Sequence, residues 1–134
     1  MNHTIAESKE FCSHSADMIK LAAEKGIDIG VAPSYLSLQT VKENAGNMIV
    51  AAQDCHFADH GAYTGFVSIP MIKELGIDWC LVGHSERRLY AAETSLTCNR
   101  KIKALIENKM TVVYCVGESL ADFESGRTKS IVKE

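Results

Sequence analysis

The stretch Trp79-Cys80-Leu81-Val82-Gly83-His84-Ser85-Glu86-Arg87-Arg88 constrains this chain more than any other. It begins as a short uncharged run and ends in a histidine, a hydroxyl and three charges. An uncharged run bounded by Gly76 and Gly83 predicts a strand buried on both faces. Ser85 followed by Glu86 predicts a helix start with Ser85 as the cap, because a serine oxygen accepts from orphan backbone N–H groups and acids favour the first turn. His84 therefore falls where a parallel strand ends and a helix begins, the edge at which α/β folds bind ligands. A neutral imidazole there can donate a hydrogen bond to a ligand oxygen, and the positive helix end favours the neutral ring.

The same alternation runs through the rest of the chain. A helix is expected over residues 5–25, with Phe11, Ser15, Met18, Ile19, Ala22 and Ala23 near one stripe and Gly26 as its stop. Strands are expected over 27–32, 48–53, 77–83 and 111–116. Between them lie helices over 34–45, capped by Ser34; from Ser68, with Pro70 in its first turn; and from Thr94 or Ser95 to about Asn108, burying Cys98, Ile102, Leu105 and Ile106. Residues 54–67 form a long connection without a clear period, and 120–123 a helical turn. Helices between short uncharged strands imply right-handed crossovers and a parallel sheet. The pattern alone leaves open an open doubly wound sheet or part of a (β/α)₈ barrel.

Composition narrows the function classes. A net charge of -3 without a basic block argues against nucleic acid. The apolar runs fall far short of the roughly 20 residues of a membrane helix. The polar start Met1-Asn2-His3-Thr4 is unlike a signal peptide. Five cysteines, irregularly spaced and without a Cys-x-x-Cys pair, read as reduced thiols of a cytoplasmic protein. His56 and His60 are four apart but fall in a loop, so no metal is expected. No cofactor motif is found.

Gly83-His84-Ser85-Glu86-Arg87-Arg88 resembles the histidine signature of the triosephosphate isomerase family. The resemblance continues through Met1-Asn2, Ala32-Pro33, Ala52-Gln53-Asp54-Cys55, Gly61-Ala62-Tyr63-Thr64-Gly65 and Cys115-Val116-Gly117-Glu118, in the family's order. It implies an α/β fold of parallel (β/α) units forming part of a TIM (β/α)₈ barrel. Residues 1–134 would be one partial domain, starting after the first strand and ending before the second-half strands. It further implies interconversion of dihydroxyacetone phosphate and glyceraldehyde 3-phosphate in glycolysis and gluconeogenesis, with no cofactor.

In that resemblance His84 is the catalytic electrophile, Glu86 a supporting residue and Ser85 an active-site neighbour. The family's asparagine and lysine would precede Met1, and its glutamate base belongs to the second half, so this segment by itself is expected to be inactive. Thr64 and Gly65 match a loop tip that inserts into the other subunit of a homodimer. Phe66 departs from the glutamate usual there and removes a charge partner for an arginine such as Arg87, which is placed at the same interface. Glu118 and Cys115 are expected to be architectural. A non-catalytic binding or scaffold module derived from the family is the other reading, and the residues flanking this segment would discriminate the two.

Overall fold

A computed structural model describes residues 2–133. The elements in chain order are α1 (Ile5–His14), α2 (Ala16–Glu24), β1 (Gly30–Val31), α3 (Tyr35–Asn44), β2 (Ile49–Ala52), α4 (Ile69–Glu74), β3 (Trp79–Val82), α5 (Ser85–Tyr90), α6 (Ser95–Glu107), β4 (Thr111–Tyr114), α7 (Leu120–Glu124) and α8 (Thr128–Lys133). The strands form one parallel sheet in the order β1-β2-β3-β4. Each expected strand is present but shorter than expected, and β1 shrinks to two residues because only β2 pairs with it.

The first helix is two helices. Ser15 Oγ donates to the Phe11 carbonyl at 2.7 Å, and this local bond competes with the helical ladder and separates α1 from α2. Thr4 and Glu7 close a reciprocal capping box at the start of α1, with Thr4 N–H donating to Glu7 at 2.7 Å. Thr94 and Thr97 do the same for α6. Ser34 and Ser68 occupy the cap positions of α3 and α4, but their hydroxyls make no capping bond.

Buried Leu38 and Val41 from α3, Ile69 and Ile72 from α4, and Cys98 and Leu105 from α6 pack against Ala52, Cys80 and Val82 of the sheet. The strand β3 is fully buried on that face only. Its other face carries half-buried Trp79 and Leu81, which line an open apolar trough of about 360 Å³ with Val31, Ile49, Ala51 and Val113. The expectation of a strand buried on both faces is corrected accordingly: the pleat sends Cys80 and Val82 under the helices and Trp79 and Leu81 into the trough. On α6, Ile106 is exposed and Lys101 takes a buried place instead.

Candidate active site at the strand ends

The strand ends converge on a cavity of about 390 Å³ lined by Ala32 after β1, Gln53 and Asp54 after β2, Leu81 and His84 of the β3 end, and Glu86 and Arg87 of α5, with Tyr35 alongside. Gln53 Nε2 donates to the Ala32 carbonyl at 2.8 Å and ties two strand ends together.

The turn that carries His84 is pinned at several atoms. Gly83 has φ +79, a conformation glycine adopts without the steric cost of a Cβ. A Cβ at Gly83 would also lie 2.9 Å from Arg88 Nη2, 3.1 Å from Tyr114 Cε2 and 3.2 Å from the Cys115 carbonyl. The Gly83 N–H donates to Glu93 Oε2 at 3.2 Å, and its carbonyl accepts from Arg88 Nε at 2.9 Å.

His84, not Ser85, caps α5. Its Nδ1 accepts from the Glu86 N–H at 3.3 Å, and its carbonyl accepts from the Arg87 and Arg88 N–H groups at 2.9 and 3.1 Å. The imidazole sits one residue closer to the helix start, so Ser85 is the first helical residue and the hydroxyl is not the cap. With Nδ1 engaged as an acceptor, a neutral ring carries its proton on Nε2. The His84 side chain is 44% exposed. The Glu86 carboxylate is largely exposed and stands 3.8 Å from Nδ1.

Beside the turn lies a four-charge cluster, buried except for half-buried Arg87, that sequence reasoning missed. Lys101 Nζ donates to Asp54 Oδ1 at 2.7 Å and to Glu93 Oε1, while Arg87 Nη2 donates to Asp54 Oδ2 at 2.7 Å and its Nε lies 3.7 Å from Glu93. Burial raises the Asp54 carboxyl above its ordinary range against the opposing pull of Lys101 and Arg87. Burial pulls the Lys101 ammonium down, but its bonds and charge pairing with Asp54 and Glu93 outweigh this and the net direction is up. The Asp54 carbonyl also accepts from Tyr35 Oη at 2.5 Å, and burial pushes that phenol well above its usual range. One signal was available: Lys101 shares the helical stripe of Cys98 and Leu105, where an unpaired lysine would be costly.

The loop bearing Thr64, Gly65 and Phe66 approaches this cluster. Together with Tyr35, Asp54, Cys55, Val67 and Arg87 these residues line a second cavity of about 260 Å³. Phe66 does not leave Arg87 unpaired, because Asp54 holds that guanidinium. Phe66 instead packs edge-on against buried His56, ring centroids 4.8 Å apart, beside Phe57 and Tyr63. His56 belongs to this aromatic stack, and among the described residues no cluster of three His, Cys, Asp or Glu is disposed to hold a metal ion. Glu118 Oε1 accepts from Thr128 Oγ1 at 2.7 Å, and Cys115 is half-buried.

A parallel β/α sheet with its polar and charged groups gathered at the carboxyl ends of the strands defines an α/β protein of the barrel class, here as a set of its β/α units. The family model for triosephosphate isomerase matches residues 1–134. The chain is 42% identical over 136 residues to the triosephosphate isomerase of Chlorobium chlorochromatii, covering 98% of this chain and 53% of that protein. It is 38% identical over 135 residues to that of Alkaliphilus metalliredigens, covering 99% and 53%. It is 46% identical over 106 residues to that of Mycoplasma capricolum, covering 79% and 43%. The chain belongs to the triosephosphate isomerase family, and it spans about half the length of the curated relatives it matches.

Proposed function

We propose that this chain forms the His84-bearing part of an enzyme that interconverts dihydroxyacetone phosphate and glyceraldehyde 3-phosphate. The carrying observation is the Glu86 N–H to His84 Nδ1 hydrogen bond, which leaves Nε2 as the donor of a neutral ring on a residue that lines the strand-end cavity. In this reading a carboxylate base from outside residues 1–134 removes a proton from the carbon beside the substrate carbonyl. His84 Nε2–H donates to the carbonyl oxygen as it gains negative charge in the enediolate, and a lysine from outside the segment shares that task. The hydroxyl proton of the neighbouring carbon passes to the former carbonyl oxygen, the carbon-bound proton returns to the former carbonyl carbon, and the new carbonyl forms where the hydroxyl was, which completes the isomerisation. Glu86 supports the site from the rim, and Ser85 is its neighbour on α5.

The reading extends to assembly. The Thr64-Gly65 tip with Phe66 and Arg87 forms part of a homodimer contact, with the aromatic stack on His56 giving the loop its shape. No described helix is long and apolar enough to cross a membrane, and a cytoplasmic setting suits the reduced cysteines. The test is an assay of the full-length protein with both triose phosphates, run beside residues 1–134 alone. Turnover by the first and none by the second is expected. Absence of turnover in a folded full-length protein would overturn the reading.

A further inference from the structure

Arg88 contacts the peptide unit that leads into His84. Its Nε donates at 2.9 Å to the carbonyl of Gly83, and that carbonyl belongs to the same peptide plane as the His84 nitrogen. Gly83 has φ +79, so the residue before the histidine is the most freely rotating type in the chain. Without a fixed carbonyl, rotation at Gly83 would swing the whole His84 residue. The N–H of Gly83 is held by Glu93 and the His84 ring and carbonyl by the start of α5, so Arg88 fixes the peptide between these two anchors.

The guanidinium is itself braced. Arg88 Nη2 donates to Tyr114 Oη at 3.2 Å, and Arg88 Cζ stands 6.0 Å from the centroid of the same ring, within cation–π range. Nη1 reaches Ser95 Oγ at 3.5 Å. Tyr114 is fixed in turn by the sheet: it is in register with Val82 across β3 and β4, and the next residue's N–H, on Cys115, donates to the Val82 carbonyl at 2.8 Å. One side chain of β4 thus holds one side chain of α5 on the carbonyl that aims His84.

We propose that Arg88, braced by Tyr114, is a positioning residue for His84, acting through the Gly83 carbonyl and touching no substrate atom. This rests on the reading of His84 as the electrophile. Losing the clamp lets Nε2–H drift from the substrate oxygen, which weakens the bond made in the transition state more than ground-state binding.

The test uses the full-length protein with Arg88→Met and Tyr114→Phe, each made alone and in a His84→Gln background. Arg88→Met is expected to lower kcat by about 10- to 100-fold with KM within about twofold. Tyr114→Phe, which keeps the ring and loses one hydrogen bond, is expected to lower kcat by about three- to tenfold. In the His84→Gln background neither change should lower kcat further, because the residue they position is gone. Equal losses in both backgrounds, or an unchanged kcat in the single variants, would overturn the proposal. If Arg88→Met does not fold, Tyr114→Phe decides the matter by the same comparison. A second readout needs no turnover: the ring nitrogen resonances of His84 should move in Tyr114→Phe, and unmoved resonances count against the clamp. If His84→Gln alone leaves kcat unchanged, the reading of His84 as the electrophile fails, and these resonances still decide whether Arg88 positions His84.

Discussion

Arg87 and Asp54 are joined at 2.7 Å, with the carboxylate almost wholly buried and the guanidinium reaching it from the first helix after His84. The pair links the end of β2 to the turn after β3. It also answers the question raised by Phe66, since the arginine has its carboxylate partner within the same chain and does not need one from the 64–66 loop.

That relationship leaves Phe66 an aromatic task. Phe66→Ala removes the edge-on contact with His56 and is expected to lower the stability of the full-length protein by about 1–2 kcal/mol, combining one aromatic pair with modest loss of burial. Urea unfolding measures it. Phe66→Glu should cost a similar amount, because Arg87 is already engaged and the stack is lost.

Lys101 lies between two buried carboxylates, Asp54 and Glu93. Lys101→Met leaves two buried carboxylates to share the single cation Arg87 and is expected to cost about 3–5 kcal/mol. The pH dependence has a definite sign. The folded-state pKa of Lys101 is raised, so its contribution is fully present below the unfolded value of about 10.4 and is lost as pH rises through the folded value. Tyr35 and Cys80, also raised, add loss in the same alkaline direction. The urea midpoint should therefore begin to fall above about pH 8.5, where an unfolded cysteine ionises, and fall further above about pH 10, less steeply in Lys101→Met than in the parent.

Much of the fold was legible because its signals are local. The uncharged runs ending at Ala52 and Val82, the stops at Gly26 and Gly76 and the capping threonine Thr94 each act within a few residues. The four-charge cluster was not legible in the same way. Asp54 and Lys101 are 47 residues apart, and nothing local to either names the other. Ser15 misled for the opposite reason: its place on the apolar stripe hid a hydroxyl that bonds back to Phe11. The His84 position came from strand and helix patterning, but its role as cap depended on a ring nitrogen that a serine beside it obscured.

Lys109 follows α6 with φ +58, a conformation that costs a side chain and not a glycine. Its side chain is exposed. Lys109→Gly is expected to stabilise the full-length protein by about 0.5–1 kcal/mol, read as a higher urea midpoint at unchanged slope.

The kcat and KM of His84→Gln in the full-length protein, measured with both triose phosphates, bear on the proposed chemistry without passing through stability. Loss of a donor aimed at developing negative charge predicts a fall in kcat of about 10²- to 10³-fold with little change in KM. An unchanged kcat with only weaker binding would contradict the assignment of His84 as the electrophile.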